Sequence, residues 1–72
     1  MLEEKSLICI HFILNDKLIL KQYKYHAPFM GDEIRIGGEE NEKFYLVGRR
    51  VWCYDESDNP YNRINIEISE CK

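Results

Sequence analysis

Glycine and proline are scarce in this chain, which has four Gly and two Pro among its 72 residues. That scarcity excludes a collagen-like repeat and a Pro/Gly-rich disordered segment. The composition, 44% hydrophobic and 32% charged, is that of a folded globular domain. The sequence shows no internal repeat and no linker, so we expect residues 1–72 to form one small domain. A domain of this size buries only roughly 60% of the surface that its unfolded chain exposes.

Cysteine is also rare, and the count is odd: Cys9, Cys53 and Cys71. A small secreted domain held by disulfides normally has an even number, and a thiolate metal site needs a closely spaced pair that is absent here. We expect Cys9 and Cys53 to be free, apolar side chains within strands, and Cys71 to be exposed in the tail. This usage favours a reducing cytoplasm.

The sequence lacks both an excess of basic charge and a long hydrophobic run. Thirteen acidic and ten basic residues give a net charge of -3, which argues against binding duplex DNA or a membrane surface through bulk charge. The longest apolar run, residues 7–14, is interrupted by His11 and is far shorter than the ~20 residues of a transmembrane helix. The first residues are acidic where a signal peptide is basic. We therefore expect a cytoplasmic protein without a membrane partner.

What the sequence does contain is a repeated alternation of apolar and polar residues, with β-branched and aromatic types dominating the apolar positions. A period of two with such residues predicts strands. An amphipathic helix over residues 2–14 is the alternative for the first segment, but its β-branched residues favour a strand. The predicted strands are residues 6–14, 17–26, 33–36, 43–54 and 61–69.

The same pattern predicts where the sheet turns and bends. Asn15-Asp16 suits a two-residue hairpin turn, since both residues tolerate the left-handed conformation. The apolar face switches within residues 17–26, which predicts either a bulge or a sharply bent strand, and Gly48-Arg49-Arg50 marks a bend in the fourth strand. The first strand is apolar on both faces, so it is either central or covered. The predicted fold is all-β: a five-stranded, strongly bent antiparallel sheet that forms a small barrel.

A resemblance supports the barrel. Residues 28–36, read Pro-Phe-Met-Gly-Asp-Glu-Ile-Arg-Ile and followed by Phe44-Tyr45-Leu46-Val47, are similar to the strand entry of the SH3-like small-barrel group. In that entry glycine makes the tight turn and aspartate caps it. The resemblance implies an architecture that usually binds peptides or nucleic acids and seldom catalyses. The Ala-Leu-Tyr-Asp-Tyr segment and paired tryptophans of signalling SH3 domains are absent, and so is the glycine-centred KOW pattern. Proline-rich peptide binding is therefore not implied.

Catalytic and metal-binding patterns are missing from the sequence. Cys9 and His11 share a strand face at ~6.5–7 Å, but no residue is placed to orient the imidazole. There is no phosphate-binding loop, nucleophile elbow or HExxH motif, and the acidic residues 55–59 lack calcium-loop spacing, which favours a solvated turn. We expect His11 to be partly buried and His26 to be exposed. The sequence predicts neither enzyme activity nor a cofactor nor a metal site.

The candidate binding residues are aromatic and basic side chains that share strand faces. They can serve as interface anchors, which favours a non-catalytic protein-protein interaction module, including self-association as a homodimer. The alternative is weak binding of single-stranded nucleic acid, in which bases stack on rings beside cations. A third interpretation is that the rings only cover the ends of a small core under Lys and Arg stems. The set is Lys21, Tyr23, Tyr25, Arg50, Trp52, Tyr54, Tyr61 and Arg63.

Overall fold

The computed structural model describes residues 7–37, 42–54 and 62–71, and these form five strands. The five predicted strands are confirmed within these ranges, and the helical alternative is wrong for residues 8–14. The second strand ends two residues earlier than predicted. The strands are β1 (Ile8–Leu14), β2 (Lys17–Lys24), β3 (Glu33–Ile36), β4 (Lys43–Cys53) and β5 (Asn62–Glu70).

The strands form one sheet in the order β2-β1-β5-β4-β3, which curls through 212° as a half-barrel. The all-β, strongly bent, five-stranded prediction is confirmed. The prediction that every pairing is antiparallel is wrong, because β5 runs parallel to β1 while the other three pairings are antiparallel. Alternating apolar residues look alike in both kinds of pairing, so the sequence pattern carries no information on this direction.

The core lies on the inner side of the curl, which we call the concave face. Ile10 pairs with Ile64, and Phe12 pairs with Ile66, at the parallel junction of β1 and β5. Ile64 and Ile66 are 0% exposed, and Ile10 is 1% exposed. Burying one such side chain fully contributes about 1.5–3 kcal/mol. Of the two alternatives for β1, central or covered, the structure shows a central strand, since β1 lies between β2 and β5.

Both predicted features of the first hairpin are present. Asn15 and Asp16 have φ values of 53° and 66°, as a two-residue turn of this kind requires. In β2, Leu20 pairs with Phe12 and Leu18 pairs with Ile13, so Ile19 is the extra residue of a bulge. The bulge moves Leu18 to the outer side of the sheet, which we call the convex face, while Leu20 remains on the concave face.

A second bulge bends β4 at the predicted position. Val47 pairs with Ile68 and Arg50 pairs with Ile66, so that Gly48 and Arg49 together lie opposite Glu67. A Cβ atom on Gly48 would lie 3.3 Å from the backbone carbonyl oxygen of Glu67. The close approach of the two backbones therefore explains the glycine.

The connection from β2 to β3 crosses from one edge of the sheet to the other. Ala27 inserts into the core, where it is buried. The amide of Phe29 donates a 2.8 Å hydrogen bond to Asp32 Oδ2, and Gly31 adopts a φ of 95°. Gly31 and Asp32 also exchange backbone hydrogen bonds with Val47. The turn expected from Gly31 and Asp32 is thus confirmed, while membership of the SH3-like group stays a prediction.

We expect Gly48→Ala to lower the free energy of unfolding by about 1–3 kcal/mol, because the added methyl group must push the Glu67 backbone away. Arg49→Ala, in the same bulge but exposed, is the control and is expected to change stability by less than about 0.5 kcal/mol. Urea unfolding of the two variants measures the difference. Equal stabilities would show that β4 and β5 are not in close contact at this bulge.

Candidate functional site

The curled sheet divides the predicted binding residues between its two faces. Lys21, Tyr23 and Arg63 lie on the convex face, because their cross-strand partners are His11 and Cys9. Arg50 and Trp52 lie on the concave face, opposite Ile66 and Ile64. Tyr25 and Tyr54 follow the ends of β2 and β4 and are exposed, and Tyr61 lies outside the described residues. The predicted set is therefore not one surface.

On the convex face, two neighbouring rows of side chains form what we call the convex patch. In the first row, Tyr23 and Arg63 lie on either side of Cys9. In the second row, Lys21 and Asn65 lie on either side of His11. Cross-strand neighbours on one face have Cβ atoms only ~4.5–5.5 Å apart, so three basic residues lie near one another here. Sequence reasoning assigned His11 no binding role, although its place beside Lys21 follows from the hairpin register.

The positive charges of the convex patch affect the pKa of His11. Burial, the positive charge of Arg63 and that of Lys21, in this order, lower the pKa of His11 below its usual value of 6.5. His11 is half-buried, as predicted. Asn65 Oδ1, beside it, is buried and has no hydrogen-bond partner among the described residues. The positive charges of Arg63 and Lys21 therefore act at the centre of the patch, and none of the described residues in its two rows is a carboxylate.

Arg50 and Trp52 have different surroundings from the convex patch. The Arg50 guanidinium lies over the ring of Phe29, 4.7 Å from its centroid, which is a cation–π contact. Arg50 Nε is buried and has no hydrogen-bond partner in the part of the chain that the structure describes. Trp52, opposite Ile64, is 37% exposed at the side of the core. These contacts support the interpretation that Arg50 and Trp52 cover the core.

A third feature was not anticipated from the sequence: a groove on the concave side between the two edge strands, β2 and β3. The two strands do not contact each other, so the half-barrel is open along this line. The groove has a volume of about 280 Å³. Its lining residues are Ile10, Phe12, Leu20, Gln22, Lys24, His26, Pro28, Ile34, Arg35 and Ile36.

The groove has an apolar floor and a basic rim. Leu20, Ile34 and Ile36 are only partly buried against the core, so their apolar surface is accessible from the groove. Among the described residues, the ionisable ones that line the groove are Lys24, His26 and Arg35, and none of them is a carboxylate. Arg35 Nη1 lies 3.5 Å from Glu42 Oε1 in an exposed ion pair of small energetic value. Lys24 and His26 follow Leu20 in the same period-two pattern of the sequence. This pattern is the sequence signal that polar residues continue the face on which Leu20 lies and form the rim.

The three cysteines form no disulfide. All three are free, and Cys9 is buried. Cys71, which the sequence predicts to be exposed, has intermediate exposure as a residue, and its amide donates a 2.9 Å hydrogen bond to the Phe44 carbonyl. The thiol lies 3.7 Å from Glu33 Oε2. Desolvation, followed by the charge of Glu33 and this hydrogen bond, raises the pKa of Cys71.

Within residues 7–37, 42–54 and 62–71, no three His, Cys, Asp or Glu side chains are grouped to hold a metal ion. The acidic stretch 55–59 lies outside these ranges. The described segments also contain no helix long and apolar enough to cross a membrane. Comparison of the chain with protein-family models, curated proteins and solved structures finds no match.

The lowered pKa of His11 predicts a pH dependence of stability. Because the folded protein holds the His11 proton less tightly than the unfolded chain does, protonation favours unfolding. The stability contributed by the neutral form of His11 is therefore fully present above pH 6.5. This contribution is lost as the pH falls from 6.5 through the pKa of His11 in the folded state. We expect acidification from about pH 7.5 to about pH 5 to destabilise the unmodified protein more than His11→Gln. Urea midpoints measure this, and equal losses in both proteins would contradict it.

Proposed function

We propose that this chain is a non-catalytic protein-binding module that holds an extended segment of a partner protein along β2, with side chains of that segment in the groove. The observation that carries the proposal is the outer edge of β2, which pairs with no other described strand and lies beside an open apolar groove. The predicted cytoplasmic location and absence of a cofactor belong to the same proposal.

The β2 edge provides the backbone contacts. β2 has eight residues, and among the described strands it pairs only with β1. In an antiparallel edge strand, alternate residues direct their backbone N–H and C=O groups away from the sheet. An extended partner segment satisfies these groups by adding a strand, a common mode of peptide recognition.

The groove provides side-chain contacts beside that edge. Leu20 from β2 lines one wall, and Ile34 and Ile36 from β3 line the other. A strand added to β2 directs every second side chain to the concave side, towards these residues. The volume of about 280 Å³ is just below the range of small-molecule and cofactor pockets, roughly 300–1,000 Å³, which favours a few peptide side chains as the occupant.

The charges along β2 favour a different protein, rather than a second copy of this chain, as the partner at this edge. If two copies paired their β2 strands antiparallel with full overlap, Lys17 of each copy would face Lys24 of the other. Like charges directly opposite each other destabilise a strand pair, and edge lysines are a known protection against self-pairing. The rim residues Lys24 and Arg35 favour a partner segment with acidic side chains. Self-association therefore stays a prediction that this edge does not support.

The test uses an eight-residue peptide of alternating Glu and Val, with blocked ends, added to the ¹⁵N-labelled protein and followed by NMR. The length matches β2. We expect chemical-shift changes confined to β2, β3 and their connection, because the added strand contacts only that edge. No change at millimolar peptide, or changes confined to the convex face, would contradict the proposal.

Two variants of the same strand sharpen this test. Leu20→Gln removes an apolar contact in the groove, and we expect peptide affinity to fall about 10-fold or more. Leu18→Gln is the matched control, since Leu18 is 52% exposed on the convex face and should leave affinity unchanged. Ile36→Gln, on the opposite wall, replaces Leu20→Gln if the latter does not fold. Equal losses at Leu18 and at the groove would refute the assignment.

A further inference from the structure

We infer that the convex patch is a second binding site, at which His11, Lys21 and Arg63 contact the phosphates of single-stranded nucleic acid and Tyr23 stacks on a base. This site lies on the face opposite the groove. It does not depend on the function proposed for the groove.

The register of three strands brings the patch together. Lys21 of β2 is the direct partner of His11, and Arg63 of β5 is the partner of Cys9, two residues before His11. Rows two residues apart along a strand are ~6.5–7 Å apart, so the three basic side chains can reach neighbouring phosphates of one strand. A positive groove or surface of this kind follows the backbone of single-stranded nucleic acid.

The charges around the patch favour an anion, although the whole chain carries a net charge of -3. By register, the two rows of the patch contain no carboxylate among the described residues. Among the described residues of this face, the nearest acidic residue by register is Glu67, in the following row opposite Ile13. Burial is the largest cause of the lowered pKa of His11, and the positive charges of Arg63 and Lys21 lower it further, so both charges act at the centre of the patch.

The aromatic ring distinguishes nucleic acid from a simple phosphate ligand. Tyr23 is 46% exposed and lies in the same row as Arg63, with only the small, buried side chain of Cys9 between them. A ring next to cations on a sheet surface suits base stacking combined with phosphate contacts. Tyr25, two residues on and 58% exposed, is the next aromatic residue towards that end of the sheet.

The experiment measures binding of a fluorescein-labelled oligothymidylate of about eight nucleotides by anisotropy, a length within the site sizes of single-strand binders. Neutralising about two or three phosphates gives a salt slope of about -1.4 to -2.1. We therefore expect affinity to fall about 7- to 18-fold between 50 and 200 mM salt. No anisotropy change at low salt would overturn the proposal.

Matched variants separate the patch from bulk charge. We expect Lys21→Gln to weaken binding about 5-fold and to reduce the salt slope by about 0.7, as one phosphate contact is lost. Tyr23→Leu should weaken binding at every salt concentration. Lys17→Gln removes the same charge from the same strand, but its partner Leu14 places it on the concave face, so binding should be retained. Equal weakening by Lys17→Gln and Lys21→Gln would overturn the site.

Two further measurements complete the test. Leu20→Gln, which is expected to weaken peptide binding in the groove, should bind the oligonucleotide normally. Failure of the groove proposal can therefore be distinguished from failure of this one. Bound phosphates should raise the pKa of His11, read from its imidazole proton shifts, because the nearby cations are then neutralised. An unchanged His11 pKa, or full binding by Tyr23→Leu together with competition by millimolar inorganic phosphate, would overturn nucleic-acid binding in favour of a simple anion site.

The groups facing His11 are Lys21 and Tyr23 from β2 and Arg63, Asn65 and Glu67 from β5.

Discussion

The parallel pairing of β1 with β5 determines how the other strands are arranged, because it brings together the two strands with the most strongly apolar faces. Ile10 and Phe12 of β1 lie beside Ile64 and Ile66 of β5, and Val47 of β4 completes the buried centre. With these three strands in the middle, β2 and β3 must be the edges. Five strands that curl through 212° do not close a barrel, so the groove between the edges is a direct consequence of how the core is assembled.

Much of the fold follows from the sequence because local rules decide it. Asn15 and Asp16 form the predicted turn, and both bulges occur where the alternation changes phase or a glycine interrupts it. The direction of β5 was not predictable in the same way. It is a long-range choice, made by burying Ile64, Ile66 and Ile68 against β1, and the period of two is the same for either direction.

The site was less predictable than the fold. Two of the shared faces were assigned correctly, since Lys21 and Tyr23 remain together, as do Arg50 and Trp52. Which strand faces meet depends on strand order and register, and these place the two pairs on opposite sides of the sheet. The groove depends on the curvature of the whole sheet, which brings Leu20 near Ile34 without any local signal in the sequence.

The two faces provide two different chemistries on one thin sheet. The concave side offers apolar side chains and a strand edge, whereas the convex side offers cations and an exposed ring. β1 is apolar on both faces because it supports both: Ile10 and Phe12 lie in the core, and Cys9 is buried within the convex patch. The acidic net charge does not describe either surface, because the described residues that carry charge at the rim of the groove and in the two rows of the convex patch are basic.

Amide hydrogen exchange of the free protein tests the central claim, that the half-barrel leaves β2 with one open edge. The account predicts alternating protection along β2, with slow exchange for amides bonded to β1 and fast exchange for those directed away from it. β1 should be protected throughout, since it has a neighbour on both sides, and β5 should be protected where it pairs with both β1 and β4. Uniform slow exchange along β2 would contradict the account, because it would mean that the edge is already paired in the free protein.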